Sequence, residues 1–382
     1  MSTTISETNP QPVKLNKGGL EGVVAATTAI SKVEGTAGRL IYHGYNIHDL
    51  ARTTTFEEVV HLLWFGHLPS QKELADLKGK LAADRTLPAP VMEIIRNLPK
   101  TVEPMDALRT GISAWGAMTI KGKPTIEQAI AVTARFPLFL AAFHRLRNGL
   151  EPLESLPELD YAANYLYLLT GQVPQEKHVK GLNSYLVLHA DHGMNASTFT
   201  ARIVASTKSD IVSSVVAALG SLKGPLHGGA PSKVLDMLNE IGTVDNVEPW
   251  IRTAIVQGGR LMGFGHRVYK TEDPRAEELR EMARVADPQE FVLARRVEEL
   301  ALSLLDELKP GRRLYTNVEF YSAALLSSMG LSGDLFTPTF AASRIAGWTA
   351  HILEQVSNNR LIRPEADYTG PMDTKFVPLN QR

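Results

Sequence analysis

The stretch from Asp287 to Gly311, DPQEFVLARRVEELALSLLDELKPG, carries a full set of helix instructions. Asp287 and Glu290 make a capping box, and Pro288 stands at the first helical position, where its missing N–H would have no partner anyway. Val297, Leu300, Leu304 and Leu308 then fall on one face at helical spacing, and Lys309-Pro310-Gly311 stops the run. The same signals recur in both directions along the chain. Ser70-Gln71-Lys72-Glu73 is a second capping box, ahead of Leu74, Leu77 and Leu81, while Asp273-Pro274 and Thr337-Pro338 each set a capping side chain before a proline. Helical spacing predicts further helices over 56–66, 104–119, 125–134, 136–147, 158–170, 178–190, 195–206, 210–220, 231–241, 247–262, 317–329 and 338–357. Period-two alternation is confined to a short hairpin around 28–43, turning near Glu34-Gly35. The fold class is therefore mainly α.

Glycine-rich breaks at 220–229 and near 330–338 bracket a block that reads as a second domain inserted into the first, with the breaks as hinges. A chain of 382 residues buries a sizeable core, and 44% hydrophobic against 21% charged residues suits a soluble enzyme. A net charge of −1 argues against nucleic acid and against an anionic membrane surface as partners. The absence of cysteine excludes disulfides, thiolate nucleophiles, iron–sulfur clusters and cysteine zinc sites. Met1 to Gln11 holds no basic residue, so it lacks the pattern of a secretory or transit segment, and apolar runs such as Phe136 to Phe143 are too short to cross a bilayer. The expectation is a cytoplasmic protein with a flexible N-terminal arm over about residues 1–12.

Three histidine segments carry most of the chemistry. In Leu188-His189-Ala190-Asp191-His192 the two histidines are three apart, so on a helix they share a face. Zinc needs a third ligand and no HExxH is present, which leaves a zinc hydrolase here as the weakest reading beside a buried, hydrogen-bonded histidine. Gly224-Pro225-Leu226-His227-Gly228-Gly229 mimics a phosphate loop, but Ala230-Pro231-Ser232-Lys233 follows where such a loop needs lysine and then a hydroxyl. What remains is His227 ahead of a helix N-terminus, whose dipole favours a neutral, hydrogen-bonding imidazole, or else an incidental histidine in a tight turn. Gly263-Phe264-Gly265-His266 is too short for a dinucleotide fingerprint and reads as a loop where backbone meets a ligand. Arg267, Lys270 and Arg275 follow it as a solvated basic face or an anion site. Glu319, in Thr316-Asn317-Val318-Glu319-Phe320-Tyr321, is either a first-turn cap or, if desolvated, a general base. Arg344, in the apolar Ala342-Ser343-Arg344-Ile345-Ala346-Gly347, needs an anion if buried, and Arg363-Pro364 follows that helix.

Taken in this order, these segments resemble the citrate synthase family in its shorter bacterial and archaeal form, from Gly19-Leu20-Glu21-Gly22-Val23 through Tyr42-His43-Gly44-Tyr45 to Arg363-Pro364. The resemblance implies an almost entirely helical homodimer, with a large domain from residues 1–228 and 331–382 and a small domain, 229–330, that closes over substrate. It implies an acyltransferase of the citrate (Si)-synthase type that joins acetyl-CoA, a co-substrate, to oxaloacetate without metal or bound cofactor. Matched by motif, His227 holds the thioester oxygen, His266 polarises the oxaloacetate carbonyl and His192 binds oxaloacetate. Arg275, Arg344 and Arg363 hold carboxylates, Arg363 from across the dimer, while Met262, Gly263, Phe264, Gly265, Lys270 and Asn317 correspond to the coenzyme A side. The family's base is an aspartate in an Asn-Val-Asp context; this chain has Glu319, one methylene longer. A 2-methylcitrate synthase using propionyl-CoA, and a non-catalytic paralogue that binds coenzyme A or citrate, are the competing readings.

Overall fold

The hairpin expected around 28–43 is present in the computed structural model, which describes residues 19–20, 22–228, 230–266, 268–308 and 314–382. The expected arm, Glu21, Gly229, Arg267 and the Lys309-Pro310-Gly311 stop lie outside the described residues. β1 (Ser31–Glu34) pairs antiparallel with β2 (Arg39–Tyr42), Ser31 opposite Tyr42, and β3 (Tyr45–Asn46) folds back on β2. Alternation sends Leu40 and Tyr42 of β2 into the core. The hairpin tip lies against a loop far along the chain: the Gly35 carbonyl accepts from Lys270 N–H at 3.0 Å, and a Cβ on Gly35 would come within 2.3 Å of the Val268 carbonyl oxygen. Only glycine allows that approach.

The other elements are helices. α1 (Ile47–Thr53), α2 (Phe56–Phe65), α3 (Gln71–Ala83), α4 (Ala89–Arg96) and α5 (Pro104–Thr119) come first, then α6 (Ile126–Arg147), α7 (Tyr161–Thr170), α8 (Glu176–His189), α9 (Ala196–Ser206) and α10 (Ile211–Lys223). α11 (Ala230–Ile241), α12 (Val247–Val256), α13 (Pro274–Ala286), α14 (Pro288–Leu308), α15 (Val318–Ser328) and α16 (Phe336–Ser357) complete the chain. α16 is the central element, packed against α2, α6, α8, α9 and α10. Its small residues let neighbouring backbone come close: Gly347 N–H donates to the Ala190 carbonyl at 3.0 Å, and a Cβ there would lie 2.4 Å from that oxygen. α13 and α15 pack on each other and on α8, α11 packs on α15, and α12 on α14.

Three expectations need correction, and two short helices were not expected. The two helices expected on either side of residue 135 are one, α6, with Pro137 inside it. Proline leaves the carbonyl four residues back without its helical donor, and the buried Tyr161 hydroxyl approaches that Thr133 oxygen at 3.3 Å while also reaching the Ala342 carbonyl at 3.0 Å. The fused helix is 22 residues long, enough to span a bilayer, yet 78% of its apolar window is buried in the fold. α12 stops at Val256 rather than residue 262, because Gly258 takes φ +75° and turns the chain. Thr337 is not a cap: α16 already begins at Phe336, and the Thr337 hydroxyl donates to the Gly228 carbonyl at 2.8 Å, tying α16 to the His227 turn. α1 and α4 are too short to announce themselves by periodicity; α1 is started by the Asn46 side chain, which accepts from His48 N–H at 3.0 Å.

Candidate active site

Gly263 and Gly265 adopt φ of +85° and +87°, which lets the loop fold tightly against the start of α15, and a Cβ on Gly263 would meet the Phe320 side chain at 2.8 Å. Asn317 stitches the two together. Its N–H donates to the Gly263 carbonyl at 2.9 Å, its Nδ2 to the Gly265 carbonyl at 2.9 Å, and its Oδ1 accepts from Glu319 N–H at 3.0 Å, capping α15. Both polar atoms of the Asn317 side chain are thus engaged within the chain, so it acts on the loop's shape. Glu319 then projects from the first turn of α15 with no hydrogen bond or ion pair to its carboxylate among the described residues. Burial raises its pKa to about 7, against the opposing pull of the Arg275 and Arg260 charges.

Each active-site imidazole has one nitrogen committed. His266 Nδ1 accepts from the N–H groups of both Val268 and Tyr269 at 3.0 Å, which places the ring proton on Nε2, free to donate. His227 Nε2 accepts from Ser197 N–H at 3.2 Å, so its proton sits on Nδ1. Ser197 Oγ, 2.8 Å from the same Nε2, is itself held by Trp348 Nε1 at 3.0 Å. His192 Nε2 lies 3.1 Å from the Tyr269 hydroxyl, and the His192 and His266 rings meet edge to face with centroids 5.8 Å apart. Burial is the main reason all three imidazoles stay neutral: it lowers His227 and His266 to about 4 and His192 well below its usual value, helped by Arg344 at His227 and by Arg275 at the other two.

The arginines differ in how they are partnered. Arg275 is 3% exposed and offers its Nε and Nη2 edge to Asp273 at 2.9 and 2.8 Å, leaving Nη1 without a partner among the described residues. Arg344 is 1% exposed; its Nε donates to the His189 carbonyl at 2.7 Å and its guanidinium lies over the Phe340 ring at 4.7 Å, with no ion pair among the described residues. Burial lowers its pKa to about 10, with Asp191 the largest favourable charge. Lys270 is exposed, Phe264 is buried and Met262 is half-buried. Arg363 is exposed on the segment after α16, and the fold of this chain does not bring it to the other site residues.

His189 does not share a face with His192. α8 ends at His189, whose ring stacks on Tyr185 with Nδ1 2.8 Å from the Tyr185 carbonyl and Nε2 toward Ser322 Oγ at 3.5 Å, so it is a core histidine and the zinc reading fails. The residues that sequence reasoning missed are the holders: Tyr269, Asp273, Ser197 and, above all, Asp191. Fully buried, Asp191 accepts from Ser31 Oγ and from Gly193 N–H at 2.9 Å, fixing the turn that presents His192. His351 Nδ1 accepts from Arg202 at 3.0 Å, so its proton is on Nε2, 3.3 Å from Asp191 Oδ1.

These shifts set a pH dependence of stability. A histidine whose pKa falls from 6.5 to about 4 on folding contributes stability above pH 6.5 that is lost as pH drops toward 4, because the unfolded chain then binds more protons. His227 and His266, joined by His192, whose pKa is also lowered by burial, outweigh Glu319, whose raised pKa acts in the opposite sense. Tm is therefore expected to fall between about pH 7 and 5, and less steeply in His266→Asn; equal slopes for the two proteins would contradict neutral burial of His266.

A carboxylate poised near neutrality, neutral imidazoles and buried arginines in a helical fold are suited to moving a proton and binding an anion. The family model described as citrate synthase, C-terminal domain, matches residues 19–365. Citrate synthase 2 of Bacillus subtilis is 46% identical over 375 residues, covering 95% of this chain and 98% of that protein. A 2-methylcitrate synthase of Shewanella oneidensis is 38% identical over 374 residues, with 97% and 99% covered. The citrate synthase of Thermoplasma acidophilum, solved in ternary complex with carboxymethyl coenzyme A and oxaloacetate, superposes with a TM-score of 0.87 at 32% identity, covering 95% of this chain and 98% of that one. The chain belongs to the citrate synthase family, as an acyltransferase of the citrate (Si)-synthase type.

Proposed function

We propose that this chain is a cytoplasmic enzyme that condenses acetyl-CoA with oxaloacetate and hydrolyses the citryl thioester, releasing citrate and coenzyme A. The observation that carries this reading is the Glu319 carboxylate, raised to about 7 and unpartnered among the described residues, in a site with imidazoles held neutral. A thioester methyl is a weak carbon acid, so a carboxylate removes its proton only while a fixed donor stabilises the developing oxyanion. His227 gives that donor through Nδ1–H. His266 polarises the oxaloacetate carbonyl through Nε2–H, the new carbon–carbon bond forms at that carbon, and the former carbonyl oxygen gains a proton. Water then cleaves the thioester and the thiol leaves. The free edge of Arg275 and the donors of Arg344 hold the substrate carboxylates, with His192 beside them. Arg363, exposed here, serves the same site of a second copy in a homodimer. Residues 229–330 close as a unit over the bound pair, with the 262–265 loop and Lys270 on the coenzyme A side.

The second reading, a 2-methylcitrate synthase, is favoured by the Shewanella oneidensis relative. The two substrates differ by one methylene, about 1–3 kcal/mol in an apolar pocket. Thiol release from acetyl-CoA and from propionyl-CoA, with and without oxaloacetate, distinguishes them, and a chain with no cysteine contributes no background. Release is expected only with oxaloacetate, with kcat/KM for acetyl-CoA higher by roughly tenfold or more. The reverse preference assigns the enzyme to propionyl-CoA, and release that ignores oxaloacetate contradicts both readings.

A further inference from the structure

The turn between α2 and α3 gathers two histidines and a glutamate that the condensation does not use. One ring nitrogen each of His61 and His67 and one carboxylate oxygen of Glu73 all lie within 4.8 Å of one another, the one such group among the described residues. Each member is held from behind. His61 is 4% exposed on α2, and His67 follows Gly66, the left-handed residue that ends the helix. Glu73 spends Oε2 on the Ser70 capping box at 2.8 Å and turns Oε1 toward His67.

The backbone sets the tautomer of both rings. His61 Nδ1 lies 3.0 Å from the His67 carbonyl, and His67 Nδ1 lies 3.2 Å from the Phe65 carbonyl. A carbonyl only accepts, so each Nδ1 carries the proton and each Nε2 keeps its lone pair. Metal-ligating histidines are anchored in this way, through the nitrogen that does not bind. His67 Nε2 then faces Glu73 Oε1 at 3.3 Å, two lone pairs in contact unless a proton or a cation lies between them.

We propose that His61, His67 and Glu73 form a binding site for a divalent transition-metal ion of the zinc type, separate from the condensation chemistry. Ligands about 2.0–2.2 Å from a tetrahedral ion stand roughly 3.3 Å from each other, so the His67–Glu73 edge already has the right length. The remaining edges are no longer than 4.8 Å. Two imidazoles and one carboxylate favour zinc, nickel or copper over calcium or magnesium, which prefer oxygen ligands throughout. Three protein ligands leave one position to solvent. The ion would join the end of α2 to the start of α3, beside Trp64, whose Nε1 donates to Thr349 of α16 at 2.9 Å.

Zinc chloride titrated calorimetrically into the full-length, chelator-treated chain tests this directly. Wild type is expected to bind one equivalent and to gain thermal stability. Affinity falls roughly tenfold or more in His67→Ala and less in Glu73→Gln. Both substitutions are on exposed side chains, and thiol release in the absence of zinc is expected to be unchanged in each. No binding by wild type, or the same stoichiometry and affinity in His67→Ala, overturns the site.

Discussion

Replacing Glu319 with glutamine is expected to lower kcat by about 10²–10⁴-fold, the usual contribution of a positioned general base, while oxaloacetate affinity stays within about twofold. Glutamine keeps the length of the side chain, and the cap of α15 is untouched because it uses Glu319 N–H and Asn317 Oδ1. The loss is therefore chemical. With a pKa of about 7 the wild-type carboxylate must be ionised to act, so turnover is expected to decline below neutral pH. The stability signature runs the other way: a carboxyl group raised from 4.5 to about 7 by folding gives stability below pH 4.5 that is lost as pH rises through 7, so Glu319→Gln is expected to be more stable than wild type at about pH 8. Glu319→Asp separates reach from basicity, since a displacement of ~1 Å can cost ~100-fold. Near wild-type turnover in Glu319→Gln would remove the base assignment.

Arg344→Met is expected to separate binding from folding. Arg344 is almost wholly buried, lacks an ion pair among the described residues, and is held against its own desolvation, as its lowered pKa records. Replacing a buried charge that lacks an ion pair with an apolar side chain of similar volume is often neutral or stabilising. The substrate, however, loses a desolvated charge partner, a change that costs about 2–5 kcal/mol. Oxaloacetate affinity is expected to fall ~30-fold to several thousand-fold while Tm holds or rises. A variant that unfolds with little change in affinity would assign Arg344 to the core instead.

Much of the candidate site was legible in the chain itself, for physical reasons that also explain the gaps. His227, His266 and Glu319 stand in glycine-rich or helix-start contexts, and Arg344 interrupts an apolar helix, so local chemistry marks them. Their holders carry no such mark. Arg344 reaches a carbonyl 155 positions away, and Asp191 meets Ser31 across 160. Asp273 reads as a helix cap, and it is one, accepting from Arg275 N–H at 3.1 Å; its second task, gripping the Arg275 side chain, depends on burial that no local pattern reveals. The fold has the same division. Caps at Ser70 and Asp273 stand where the residues indicate, whereas continuity through Pro137 rests on Tyr161, 24 residues later, and the Thr337 hydroxyl serves the His227 turn rather than its own helix.

The central claim is that a carbon–carbon bond forms under Glu319. Acetyl-CoA labelled with ¹³C at the methyl carbon, incubated with oxaloacetate and enzyme, reports it directly by carbon NMR. The account predicts that the label appears in a methylene of citrate as oxaloacetate disappears in equal amount. Labelled acetate with oxaloacetate unconsumed would contradict it, because the thioester would then have been hydrolysed without condensation.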